Sequence, residues 1–131
     1  MSWYEELDRW TADYLPDMIY EHDAALAKYT SFRIGGPADC LIYLENEDQL
    51  CRIQKYLRLV DVPYTVIGNG SNLLVSDDGY RGFVLVIGIY MSEITVKDCY
   101  LEAEAGALMS QVAKTAKEHG LTGLEFAAGI P

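Results

Sequence analysis

The sequence predicts a fold of mixed helices and strands, a compact α/β unit followed by the opening of a second unit, and three observations carry that prediction. An apolar run at 38–44, an amphipathic stretch at 47–60 and a second apolar run at 64–67 have the strand, helix, strand order of a parallel crossover. A nearly continuous apolar run at 83–87 adds a buried strand, and this unit closes near Gly88. From Ile94 the pattern changes to two short strand candidates around Lys97 and Asp98 and then a helical stretch, a hairpin that opens a second unit. The expected division is 1–28 as an N-terminal helical segment, 29–88 as the first unit and 89–131 as the second.

Taking the elements in order, Trp3, Leu7, Trp10 and Tyr14 recur at helical spacing with Glu5, Glu6, Asp8 and Asp13 between them, an amphipathic helix ended by Pro16. Its aromatic stripe serves either as core packing or as a surface for a partner groove; periodicity alone does not separate the two. Residues 29–37 form a cluster of small residues ending in the turn Gly35-Gly36-Pro37, with Arg33 either solvated or near a ligand phosphate. Asn46 with Gln49 three residues on resembles a capping box, and Leu50, Ile53, Leu57 and Val60 keep one face apolar up to Pro63. The strands 38–44 and 64–67 should therefore lie parallel in one sheet. Residues 73–75 read as another short strand, so that 68–72 joins two strands. Asp77 and Asp78 beside Gly79 read as solvated turn residues. In the second unit, 94–96 and 100–105 are strands, and Leu108, Val112, Ala113 and Ala116 mark a helix stopped by Gly120. The chain closes on Gly129-Ile130-Pro131 with no capping element, so the second unit is expected to be incomplete.

Composition narrows the function classes. Half the residues are hydrophobic and 23% are charged, ordinary material for one globular domain of 131 residues. The net charge of -10, from 20 acids against 10 bases, argues against nucleic acid or an anionic membrane as the main partner. An anionic ligand must then be met by backbone amides or by individual bases such as Arg33 and Arg81. The first residues lack the basic start and apolar run of a signal peptide, and no apolar run approaches the ~20 residues that cross a bilayer, so a cytoplasmic location is expected. Cys40, Cys51 and Cys99 are odd in number and lack Cys-x-x-Cys spacing, which favours buried thiols over a disulfide or zinc. His22 and His119 are too isolated for a metal site.

The chemistry concentrates in the loop Gly68, Asn69, Gly70, Ser71 and Asn72. Glycines there reach backbone angles closed to other residues and let a ligand approach the main chain without a Cβ in the way. Successive N–H groups can converge on a phosphate or pyrophosphate, with Ser71, Asn69 and Asn72 as further donors. On these five residues alone a plain hairpin turn is an equal alternative, since Asn-Gly is a strong hairpin signal. Two familiar phosphate loops are excluded. The dinucleotide fingerprint needs a third glycine and a helix directly after the loop, and the triphosphate loop needs a lysine that is absent between Lys55 and Lys97.

Five motifs stand in fixed order: residues 29–39 (Tyr29 through Asp39), 68–74, then Tyr80-Arg81-Gly82, Gly123-Leu124-Glu125 and Gly129-Ile130-Pro131. Together they closely resemble the UDP-N-acetylenolpyruvoylglucosamine reductase family of flavoenzymes, over residues 29–131. The resemblance implies an FAD-binding domain of the PCMH type, like that of vanillyl-alcohol oxidase, made of two α+β subdomains with the flavin between them. It implies that Gly68, Asn69, Gly70, Ser71 and Asn72 surround the FAD pyrophosphate, and that Ile130 and Pro131 begin a segment lying along the flavin. It further implies NADPH as reductant and a UDP-sugar as substrate. Hydride passes from reduced flavin to the enolpyruvyl group while a serine supplies a proton, giving UDP-N-acetylmuramate for peptidoglycan. The family's proton-donating serine, catalytic arginine and late glutamate match positions beyond Pro131, so no catalytic residue is assigned and the 131 residues alone are expected to be inactive. The alternatives are a flavin oxidase of the same superfamily and a non-catalytic product of a truncated gene.

Overall fold

The computed structural model describes residues 2–130. Helix α1 spans Trp3–Tyr14. The Ser2 hydroxyl accepts from the Glu5 N–H at 3.4 Å while the Glu5 carboxylate accepts from the Ser2 N–H at 3.0 Å, a reciprocal cap that satisfies two donors at the helix start. The helix stops at Leu15, where the following Pro16 disfavours helical angles. Its stripe is core packing: Leu7 is fully buried, Trp3 lies against Phe83 with ring centroids 5.3 Å apart, and Trp10 stacks on Tyr56 at 4.4 Å.

The next element corrects the expectation that 1–28 is helical. Strand β1, Ile19–Ala25, pairs antiparallel with β2, Pro37–Leu44, in register from Ile19 opposite Tyr43 to Ala25 opposite Pro37. Its polar centre, Glu21, His22 and Asp23, hides the strand signal; an edge strand needs only one face apolar and tolerates charge on the other. Helix α2, Glu47–Leu59, starts at Asn46, whose side chain accepts from the Gln49 N–H at 2.9 Å, and buries Ile53 and Leu57.

Strands β3, Tyr64–Ile67, and β4, Tyr80–Ile87, complete a sheet of order β1-β2-β4-β3. As expected, β2 and β3 are parallel in one sheet; β4 lies between them and pairs parallel with both. The register slips by one residue between Ala38 and Cys40, and Arg81 sits at this irregularity, donating to the Pro37 carbonyl at 2.8 Å and pairing with Asp39 at 3.3 Å. One face of the sheet carries Cys40, Ile42, Leu44, Phe83, Leu85 and Ile87 against α1 and α2. The other carries Leu41, Val84 and Val86 beneath Leu26 and Val75.

Residues 73–75 do not form a strand. Leu74 is 70% exposed, and Val75 packs on the sheet face so closely below Gly35 that a Cβ there would approach the Val75 Cβ to 2.8 Å. A hydrogen bond from the Gly36 N–H to the Ser76 carbonyl, 2.9 Å, fixes the crossing. Three apolar residues laid across a sheet rather than along its edge bury one side chain without a ladder.

The second unit has the hairpin β5, Ile94–Lys97, with β6, Tyr100–Ala103, then α3, Met109–Glu118, ended at Gly120 with φ +70°. A 3-10 turn follows at Glu125–Gly129. The thiols divide: Cys40 is buried, but Cys51 on the outer face of α2 and Cys99 in the hairpin turn are exposed, which corrects the expectation of three buried thiols. Among the described residues no helix is long and apolar enough to cross a membrane.

Candidate functional site

The three parallel strands β2, β4 and β3 share one direction, so the loop after β3 emerges at their carboxyl ends, where open α/β sheets place ligands. Within that loop the two glycines do different work. Gly70 is buried with φ +67°, and a Cβ on it would collide with the Tyr29 carbonyl oxygen. Its own carbonyl accepts from the Ser31 N–H at 3.1 Å, which ties the loop to the 29–31 segment. Gly70 is therefore required by the fold of the loop itself. Gly68 is exposed, and a Cβ there would meet no protein atom within 4 Å. Packing does not demand glycine at 68, and the absent side chain leaves the backbone there open to an approaching ligand.

Among the described residues, the side chains of Asn69, Ser71 and Asn72 make no hydrogen bond, and the backbone N–H groups of residues 69–72 donate to no loop or turn carbonyl. These residues line a cavity of about 400 Å³. Residues 66–73 form one wall, and Ala105, Ala107, Leu108 and Met109 form the other. Leu108, which gives α3 no side-chain cap, and Met109, its first residue, line the cavity, so the positive end of the helix dipole lies beside it. No carboxylate lines it, despite twice as many acids as bases in the chain. Free amides, room at Gly68, a helix start and the absence of negative charge fit a pyrophosphate of a dinucleotide.

The structure thus brings Gly68, Asn69, Gly70, Ser71 and Asn72 to one cavity. Ile130 does not line it and is 46% exposed, and Pro131 lies outside the described residues. Arg81 is occupied with Pro37, Asp78 and Asp39, whereas Arg33 lines a neighbouring cleft with Gly68 and Asn69. Tyr29, which shares that cleft, has its hydroxyl pKa raised by burial and then by its hydrogen bond to Glu21 at 2.9 Å. Sequence reading missed Ala105, Ala107, Leu108 and Met109: apolar and without functional groups, they become a wall only when the chain after the hairpin folds back to the loop.

UDP-N-acetylenolpyruvoylglucosamine reductase of Streptococcus uberis is 47% identical over 106 residues, 81% of this chain and 35% of that protein. The protein of the same name in Pediococcus pentosaceus is 44% identical over 126 residues, 95% of this chain and 41% of that protein. The chain thus spans about two-fifths or less of the length of these curated relatives. The crystal structure of UDP-N-acetylenolpyruvylglucosamine reductase from Thermus caldophilus matches with a TM-score of 0.64 at 36% identity, over 87% of this chain and 39% of that one. Alkyldihydroxyacetonephosphate synthase shares the fold, with a TM-score of 0.62 at 19% identity over 92% of this chain and 26% of that one. Residues 38–131, which include the whole loop and both walls of the cavity, match the FAD binding domain family, and the chain belongs to that family.

Proposed function

We propose that these residues form the flavin-holding part of a reductase that converts UDP-N-acetylglucosamine enolpyruvate to UDP-N-acetylmuramate, with NADPH as reductant, in the cytoplasmic stage of peptidoglycan synthesis. One observation carries the reading: the four residues Asn69, Gly70, Ser71 and Asn72 have unpaired donors and line a carboxylate-free cavity, in a chain 44–47% identical to relatives bearing that reductase's name. FAD, when bound, supplies the hydride-transfer chemistry. The amides of residues 69–72 hold its pyrophosphate, Gly68 leaves the approach open, and the start of α3 adds a favourable dipole. The walls offer no carboxylate, imidazole or amine, so no proton-transfer role falls to the described cavity residues. The two proposed subdomains, 29–88 and 89–131, meet at this cavity, and Ile130 and Pro131 are proposed to continue toward the flavin.

The test is NADPH oxidation by the purified, FAD-loaded full-length protein, with and without the enolpyruvyl UDP-sugar. Oxidation that depends on the UDP-sugar is expected. A flavin-loaded protein that passes electrons only to oxygen would instead fit an oxidase of the same superfamily.

A further inference from the structure

The loop has a second side. There, Gly68 and Asn69 also border a cleft of about 330 Å³ whose other lining includes Lys28, Ser31, Arg33 and Tyr43. Two of the chain's ten basic residues meet in this cleft, and none of its twenty acids lines it. Among the described residues neither Lys28 nor Arg33 takes part in an ion pair, while Arg52, Arg81, Lys97 and Lys114 each do. Arg33 holds a left-handed φ of +55°, a strained conformation for a residue with a side chain. A tight turn keeps it there, with the Arg33 N–H on the Thr30 carbonyl at 3.2 Å and the Thr30 hydroxyl donating to the Ile34 carbonyl at 3.4 Å. The Ser31 N–H bond to Gly70 fixes this turn to the loop. Lys28 projects from the adjoining 3-10 turn, Leu26–Tyr29.

We propose that this cleft is a second anion subsite that takes a phosphate group of a nucleotide, with Lys28 and Arg33 as its counter-charges and Gly68 and Asn69 as the wall shared with the amide-lined cavity. The amide-lined cavity carries no cation, whereas the cleft brings two to the loop's second side, where charge-assisted contacts can hold a phosphate. The inference rests on the functional reading above only in taking the loop for a nucleotide site. Two sources have the required chemistry: the pyrophosphate of FAD and the phosphates of NADPH.

The experiment uses the full-length protein with Lys28→Gln, Arg33→Gln and the double variant, beside the charge-keeping Lys28→Arg and Arg33→Lys. FAD and riboflavin affinities are measured by flavin fluorescence at low and high salt, and the KM for NADPH by its oxidation. In the double variant, binding of one phosphate-bearing ligand is expected to weaken about tenfold or more, as for loss of charge-assisted hydrogen bonds. Riboflavin affinity should stay unchanged, the salt dependence should flatten, and the charge-keeping variants should restore binding. A loss confined to FAD assigns the subsite to the flavin pyrophosphate, and a raised KM for NADPH with FAD unchanged assigns it to the nicotinamide nucleotide. A folded double variant with both affinities and the salt dependence unchanged overturns the proposal. A wild-type protein that binds no flavin defeats the functional reading instead. Calorimetry with inorganic pyrophosphate on the wild type and the double variant then decides the subsite: weaker binding to the double variant supports it, and equal or absent binding overturns it.

Discussion

At residue 70 a glycine is needed to build the loop, and at residue 68 its absent side chain leaves the backbone open, which the proposed function uses. Gly70→Ala forces a Cβ into the Tyr29 carbonyl at positive φ, and it should lower stability by about 1–3 kcal/mol in thermal unfolding. Gly68→Ala meets only open space, so its unfolding curve should match the wild type within about 0.5 kcal/mol. The thiols make a second residue-scale contrast. Burial, then the nearby Asp8 carboxylate, pushes the Cys40 thiol up to about 12, so almost no thiolate exists at neutral pH. Mass spectrometry after alkylation near pH 8 should show Cys51 and Cys99 modified quickly and Cys40 only after unfolding. The loop was legible as a loop because five small or polar residues stand between an apolar strand and Leu73, but those residues fit a hairpin turn equally well, and only the family resemblance favoured a phosphate. Lys28 was not, since a lone lysine carries no signal until the 3-10 turn and the loop bring it beside Gly68.

Among the elements, α1 and β1 show how packing overrides local pattern. The helix periodicity of 3–14 was legible; β1 was not, because its polar side chains face α1 rather than solvent alone. Asp8 accepts from the Tyr20 hydroxyl at 2.7 Å and lies 2.9 Å from His22 Nε2, so α1 is pinned to the edge strand by one carboxylate. The Tyr20 hydrogen bond, then that of His22, holds the Asp8 carboxyl below its usual range. A depressed folded pKa means that this stabilisation is present above the ordinary carboxylate pKa and disappears as pH falls through the folded value. Asp8→Ala should cost about 1 kcal/mol near neutral pH, a modest figure because the side chain is half exposed, and the two proteins should converge in stability in acid. Urea unfolding of both proteins from neutral pH downward measures this; a constant difference into acid would contradict it. The misread 73–75 run has the opposite lesson, since its apolar residues promise a strand but only Val75 finds the sheet face.

For the molecule as a whole, the first unit is closed by two core layers, while the second exposes Phe126 at 74% and Ile130 at 46% around α3 and its following turn. Such a surface favours association, so the 131 residues produced alone should aggregate and hold FAD weakly, checked by size-exclusion chromatography and flavin content. The hairpin that starts at Ile94 was legible from the change of pattern there, but the return of the following segment to the loop was not, because it depends on Gly106. A Cβ there would strike the Gly88 carbonyl, and the Gly106 N–H bonds to Met91 at 2.8 Å, drawing the start of α3 back toward the sheet. That the loop from Gly68 to Asn72 grips the FAD pyrophosphate is the proposal on which this molecule's function rests. It is tested most directly by titrating full-length wild-type and Gly68→Ala proteins with FAD and, in parallel, with riboflavin, which lacks phosphate. The expected result is a folded variant whose FAD affinity falls about ten- to a hundredfold while riboflavin affinity is unchanged, since only the ligand needs the open backbone. A folded Gly68→Ala protein that retains wild-type affinity for FAD would contradict it.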